Sequence, residues 1–242
     1  LVGDSVRASL KTLALLRLGQ TEQALASNDR FFRSDLAAEI ATEVKTPVVP
    51  VVQVLGTASS RGGEGRANKV QVQGVDEGFW NLALKKPSFA TIPDGSVVLN
   101  ESLARQLGVK VKDDVVFRVP KPSALSRDAP LSSQEDSAVA LRVNVFAIVN
   151  DEEFGRFGLM ASQVPPFNAF MPLKWVQDKL SIPGQANLML VGQGDADAGK
   201  LTSALKQHWQ IADAQIVLRD LPEAKAIEVR SPRVFLDTSM AA

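Results

Sequence analysis

The chain has 242 residues, of which 45% are hydrophobic and 22% are charged, and it contains no cysteine. This length and composition predict one large or two small globular domains and exclude a disordered chain, while the lack of cysteine excludes disulfides and thiolate zinc sites. Basic and acidic residues number 27 each, so the net charge does not favour nucleic acid or an anionic membrane surface as a partner.

The first predicted helix is capped by Asp4 or Ser5 and ends at Gly19. No stretch contains the ~20 apolar residues of a membrane-spanning helix, and no signal peptide is visible. Because the chain opens at Leu1 rather than at methionine and enters a helix directly, we interpret it as part of a longer protein.

The next residues, up to residue 75, predict a strand, a helix and two further strands. A short strand at residues 24–26 precedes a helix that Ser34 caps. Residues 48–55 predict a strand, and the strict alternation of residues 69–75 predicts a strand with one buried and one wet face.

Residues 57–68, between those two strands, predict a flexible glycine-rich hairpin tip. Glycine-rich loops can cradle phosphate when they lead from a strand into a helix, but this loop joins two strands. We interpret it as a mobile loop whose residues Arg61 and Arg66 are candidate contacts for a partner.

The best-defined motif is a strand–helix–strand unit at residues 97–119. Residues 97–99 predict a short buried strand, and Asn100 is a suitable N-cap for the helix that follows. Gly108 supplies the left-handed residue that ends this helix, and Asp113-Asp114 turns the chain into the second strand. The unit contains no catalytic side chain, so its role is structural.

Residues 120–138 lack apolar periodicity and predict a surface excursion, which a strand at residues 141–149 follows. The three carboxylates at residues 151–153 could bind a cation. We favour a solvated turn and predict no metal site, because no further ligand cluster accompanies them.

Residues 154–167 combine irregular local sequence with large apolar side chains. Either this segment folds back over the core, or it is an exposed contact patch. In the second case its contacts with a partner would be Phe154, Phe157, Leu159 and Phe167.

The C-terminal part predicts strands and helices in alternation, ending in a strand at residues 215–219. Residues 194–200 match the phosphate-binding pattern GxxxxGK, but Leu201 replaces the hydroxyl residue that binds Mg²⁺. We therefore predict no nucleotide or other cofactor and interpret Asp197 as a helix cap. The sequence places no acid or nucleophile beside His208, so no catalytic residue is predicted.

Several of these motifs resemble the MacB-like periplasmic core domain of FtsX-like ABC-transporter permeases. The run VVLNESLARQLG at residues 97–108 carries the resemblance, with Lys112-Asp113-Asp114 where the family usually has Gly-Asp. Similar segments cover most of the chain and lie at residues 3–10, 30–32, 74–80 and 183–191.

The order of elements predicts an α+β fold in which residues 20–75 and 165–230 form one layer and residues 76–164 are an inserted lobe. The resemblance implies the same division. It corresponds to a split porter-like subdomain with an inserted small α/β, Sabre-like subdomain. Residues 1–19 would continue from a membrane span, and residues 231–242 would be a C-terminal tail.

The resemblance also implies a function: a non-enzymatic periplasmic domain of a bacterial inner-membrane permease. It would transmit ATP-driven movement to substrate export, lipoprotein release or a periplasmic partner. Its partners would be transmembrane helices of the same polypeptide, a cytoplasmic ABC ATPase and a second permease copy or paralogue. The alternatives are a static scaffold that docks a periplasmic partner and, less favoured, a ligand-binding or hydrolase domain.

Overall fold

The computed structural model describes residues 12, 14, 16–122, 138–160, 162, 164–221 and 225–231. Most of the predicted first helix and surface excursion, and nearly all of the C-terminal tail, lie outside these residues. In the part of the chain that is described, no helix has the length and apolar character needed to cross a membrane.

The described residues form a mixed fold of β-strands and α-helices, which confirms the predicted α+β class. The strands are β1 (Thr21–Ala26), β2 (Phe32–Arg33), β3 (Val48–Ser60), β4 (Arg66–Val75), β5 (Ser96–Asn100), β6 (Asp114–Pro120), β7 (Ala138–Val149), β8 (Asn168–Pro172), β9 (Gln185–Ala186), β10 (Leu188–Gly192), β11 (Val217–Leu221) and β12 (Ala226–Arg230). The α-helices after residue 20 are α1 (Asp35–Val44), α2 (Glu77–Trp80), α3 (Glu101–Leu107), α4 (Leu173–Leu180) and α5 (Ala198–His208). A π-helical turn at Asp151–Gly155 and a 3-10 turn at Ile211–Ala214 complete the set.

Eight strands form one sheet in the order β1-β10-β3-β4-β8-β5-β7-β6. Strand β3 is long enough to pair with two strands on the same side, β10 at residues 48–51 and β6 at residues 57–60. Since β6 is the last strand in the order, its pairing with β3 closes the sheet on itself through β3, β4, β8, β5, β7 and β6. Strands β10 and β1 extend this closed sheet as an open wing.

This pairing corrects the predicted hairpin tip at residues 57–68. Residues 57–60 belong to β3 and residues 66–68 to β4, so the turn is only residues 61–65. The polar residues of this part of β3 gain hydrogen bonds from β6, a partner that lies far away in the sequence.

Three clusters of buried side chains make up the core. The largest fills the interior of the closed sheet, where α3 and α4 pack against it. A second, aromatic cluster surrounds α2 and the π-helical turn. The third lies between the open wing and helices α1 and α5. Each strand of the closed sheet therefore has apolar residues on its inner face, and most have them on the outer face as well.

The motif at residues 97–119 has the predicted structure. Asn100 Oδ1 accepts a hydrogen bond from Leu103 N at 3.1 Å, and Gly108 ends α3 with φ +66°. Lys112 adopts φ +78° in the turn before β6, a left-handed conformation that favours glycine. Lys112 therefore adopts a backbone conformation that glycine takes more readily.

Candidate functional site

Phe154 and Phe157 lie in the core, with exposed fractions of 1% and 0%. Both rings pack around Phe79, at centroid distances of 4.8 and 5.3 Å. Phe154 has φ +70° in the π-helical turn, and this irregular turn is where the chain reverses after β7. Of the two alternatives for this segment, folding back over the core is therefore correct for these rings, and they are not surface contacts.

Two buried asparagines hold the segment at residues 154–167 against the body. Asn100 Nδ2 donates to the carbonyl oxygens of Gly155 and Pro166 at 2.9 and 2.8 Å. Asn168 Nδ2 donates to the carbonyl oxygens of Gly155 and Phe157 at 3.0 and 2.8 Å. These four bonds satisfy backbone carbonyls at both ends of an irregular segment, where no strand or helix partner is present. The sequence identified Asn100 only as a cap and gave no sign of the role of Asn168.

The exposed part of the segment is its tip. Met160 is 84% exposed and Val164 is 73% exposed, whereas Leu159 and Phe167 are half-buried and pack against the core. We refer to Met160 and Val164 as the apolar tip. A contact role for Leu159 or Phe167 stays a prediction, and the structure adds Met160 and Val164 as better exposed candidates.

The turn at residues 61–65 is exposed but fastened to its surroundings. Arg61 Nη1 lies 2.9 Å from Asp114 Oδ2, and the Arg61 side chain is 84% exposed. Gly65 packs so closely on α3 that a Cβ there would lie 2.1 Å from the Leu107 carbonyl oxygen. Arg66 Nε donates to the Gly63 carbonyl at 3.3 Å. An exposed ion pair contributes little to stability, so both arginines stay candidate contacts.

A buried ion pair that the sequence did not indicate joins β2 to the 3-10 turn. Asp213 has a fully buried carboxylate, to which Arg33 donates from Nε at 3.1 and 3.3 Å and from Nη2 at 3.1 Å. Arg33 also forms two hydrogen bonds with Glu39 on α1, at 2.9 and 3.2 Å, and one with the His208 carbonyl. We call Arg33, Glu39 and Asp213 the clamp. It fixes the chain after α5 to the start of α1.

The clamp makes part of the stability depend on pH. The hydrogen bonds from Arg33 hold the pKa of Glu39 below its ordinary value of 4.5. A lowered pKa in the folded state means that this contribution is present above pH 4.5 and is lost as the pH falls through the folded pKa. We expect Glu39→Gln to lower the melting temperature at pH 7 and to lose this effect progressively below about pH 4.5.

Thermal unfolding between pH 3 and pH 8 measures this difference. Glu101→Gln is the matched control, because Glu101 pairs with Arg105 only at 3.9 Å on the exposed surface of α3. A difference between wild type and Glu39→Gln that is constant across this range would contradict the assignment.

The remaining residues that the sequence analysis discussed have structural contacts. Lys200 Nζ donates to the Asp195 carbonyl at 2.9 Å, and Asp197 Oδ1 caps α5 by accepting from Lys200 N at 2.8 Å. His208 lies between Glu39 and Glu43, at 3.9 and 3.8 Å. Among the described residues, no three His, Asp or Glu side chains are grouped closely enough to hold a metal ion.

The carboxylates at residues 151–153 belong to the π-helical turn. Asn150 Oδ1 caps this turn by accepting from the backbone N–H groups of Glu152 and Glu153 at 3.0 and 3.1 Å. Asp151 Oδ2 lies 3.4 Å from Arg156 Nη1. These contacts are those of a capped turn.

Comparison with known structures shows a similar fold. The periplasmic region of MacB from Actinobacillus actinomycetemcomitans is 13% identical in sequence and has a TM-score of 0.52. The match covers 89% of this chain and 90% of that one. The extracellular domain of the noncanonic ABC-type transporter YknZ from Gram-positive bacteria is 12% identical, with a TM-score of 0.44, and the match covers 86% of this chain and 100% of that one. No protein-family model and no curated protein matches the chain. The resemblance inferred from sequence motifs is thus confirmed at the level of the fold.

Proposed function

We propose that this chain is the extracytoplasmic domain of an ABC-transporter permease and that it transmits movement from the membrane as a rigid lever. The observation that carries the proposal is the similarity of fold to the periplasmic region of MacB over 89% of the chain. ATP would be hydrolysed by a separate cytoplasmic ATPase, and membrane helices of the same polypeptide would pass the movement on. A second permease copy or paralogue would complete the transporter.

A lever must be stiff, since a domain that yields internally absorbs the displacement instead of passing it on. The closed sheet supports this requirement because β3 has a partner strand along its whole length: β10 at residues 48–51, β4 at residues 52–59 and β6 at residues 57–60. Packing of the interior by one continuous apolar cluster adds resistance to deformation.

The body is also fastened where the chain enters it and where the chain leaves α5. Gln20 N donates to the Leu82 carbonyl at 2.8 Å, and Gly19 lies so close to this carbonyl that a Cβ there would be 2.3 Å from its oxygen. The clamp holds the 3-10 turn after α5. Movement applied to either connection would therefore reach the core directly.

We further propose that the apolar tip and the turn at residues 61–65 are contacts with a periplasmic partner. Both are exposed, and both are held by rigid elements, the first by Asn100 and Asn168 and the second by α3. Binding residues commonly lie on such loops.

Spin labels in the full-length permease with its ATPase would test the lever. Because this chain contains no cysteine, Glu64→Cys and Ser162→Cys are its only labelling sites once any cysteines in the rest of the permease are replaced. We expect the distance between these two labels to stay unchanged when ATP is added. The distance from each to a third label in a membrane-spanning helix should change.

The three possible results are distinct. Movement of both labels relative to the membrane, with a constant distance between them, is what a lever requires. If no distance changes during ATP turnover, the domain is a static scaffold. If the distance between the labels at residues 64 and 162 changes, the domain deforms internally and the proposal of a rigid lever is wrong.

A further inference from the structure

An apolar groove of about 650 Å³ lies at the end of β1. Its walls come from β1, the residues around β2, the C-terminal end of α5 and the 3-10 turn. Its apolar lining includes Leu25, Phe31, Phe32, Leu205, Trp209 and Ala214. This volume falls in the range of ~300–1,000 Å³ that is typical of small-molecule sites in proteins.

The charged residues around the groove have one sign where they face solvent. Asp213 contributes to the wall, but its carboxylate is buried and bound by Arg33 at 3.1 Å. The other charged lining residues, Arg30 and Lys206, are positive and exposed. An apolar groove with the ammonium group of Lys206 at its mouth is complementary to a molecule that has an alkyl chain and an anionic head group.

We propose that this groove binds a long-chain carboxylate. The alkyl chain would lie against Phe31 and Trp209, and the head group would lie beside Lys206 at the mouth. Burial of methylene groups supplies the driving force, while the ion pair at the mouth fixes the orientation of the chain. The evidence for this binding site is the groove and the charges that line it. The site does not depend on whether the domain acts as a lever.

Calorimetric titration with dodecanoate below its micelle concentration tests the site on the isolated chain. We expect saturable one-to-one binding that is about tenfold tighter than that of dodecyltrimethylammonium, and no binding of acetate. Ligand should also shift the tryptophan fluorescence of the wild type. This shift should be lost in Trp209→Phe, because Trp80 and Trp175 lie outside the groove.

Two variants locate the binding. Lys206→Glu should weaken dodecanoate binding about fivefold, whereas Lys174→Glu, the same change on the exposed surface of α4, should leave it unchanged. Ala214→Phe should fill the groove and weaken binding at least tenfold.

Three results would overturn the proposal. The first is no saturable binding below the micelle concentration. The second is equal weakening by Lys206→Glu and Lys174→Glu, which would show a general charge effect. The third is unchanged affinity in both Lys206→Glu and Ala214→Phe, which would place the ligand elsewhere. If Ala214→Phe does not fold, the two lysine variants and the head-group comparison decide.

Discussion

Replacing Phe154 or Phe157 by alanine should lower the free energy of unfolding by about 3–5 kcal/mol for each ring. Both side chains are almost completely buried, and both pack against Phe79, so truncation leaves a cavity that the surrounding rings cannot fill without moving. Since a domain of this kind has a total stability of about 5–15 kcal/mol, either change removes a large part of it. Urea unfolding followed by circular dichroism measures the effect.

The same segment offers its own controls. Met160→Ala and Val164→Ala remove apolar side chains that are 84% and 73% exposed, so each should change the free energy of unfolding by less than about 0.5 kcal/mol. These two variants should instead weaken transport in the full-length permease if the apolar tip contacts a partner. Equal effects of the four alanine substitutions on stability would contradict the division into a buried and an exposed part.

The elements that the sequence predicted well are those whose signals are local. The cap at Asn100 and the left-handed Gly108 depend on neighbours within a few positions. The N-cap of α5 at Asp197 is of the same kind. Such interactions are fixed by the residue types themselves, so a pattern in one sequence is sufficient to find them. The alternation at residues 69–75 located the strand β4, but the predicted wet face is wrong at Gln73, which is fully buried.

What the sequence did not reveal depends on residues that are far apart in the chain. Arg33 and Asp213 are separated by 180 positions, and neither stands in a recognisable motif. Asn168 looks like any polar residue before a strand, although it is fully buried. The continuation of β3 through residues 57–60 depends on its pairing with β6. Each of these features joins segments that are distant in the sequence, so no local pattern predicts it.

Phe154 and Phe157 are a further case in which the sequence alone was not sufficient. The sequence identified a segment rich in large apolar residues but left open whether it was core or contact. The rings are buried because the side chains of Asn100 and Asn168 donate hydrogen bonds to the backbone carbonyls of this irregular segment. A single sequence shows hydrophobic residues, but it does not show which backbone groups have partners.

Deleting residues 76–164, by joining residue 75 to residue 165 through a short Gly/Ser linker, should abolish cooperative unfolding. The sequence predicts an inserted lobe here, so the flanking segments would fold without it, and this division stays a prediction. The strand pairing leads to the opposite expectation. Strands β5, β6 and β7 lie within the deleted part, and they complete the closed sheet by pairing with β8 and β3.

Without these strands the interior of the sheet would open to water. Val52, Val72 and Met171 are fully buried in the interior cluster, and they would lose the opposing side chains of the three missing strands. Exposure of such a surface favours a molten or aggregated state over a unique fold. We therefore expect the shortened chain to bind an apolar dye and to melt without a sharp transition.

A smaller deletion is the control for cutting the chain in this region. Pro120 and Ala138 are paired at the ends of β6 and β7, so replacing residues 123–137 by a short Gly/Ser linker keeps both strands connected. This variant should keep a cooperative transition within a few degrees of the wild type. If the larger deletion also unfolds cooperatively, the flanking segments form a self-contained unit and the division predicted from the sequence is correct. The closed sheet would then contain a part that is stable without β5, β6 and β7, and a lever could bend where β8 meets β5.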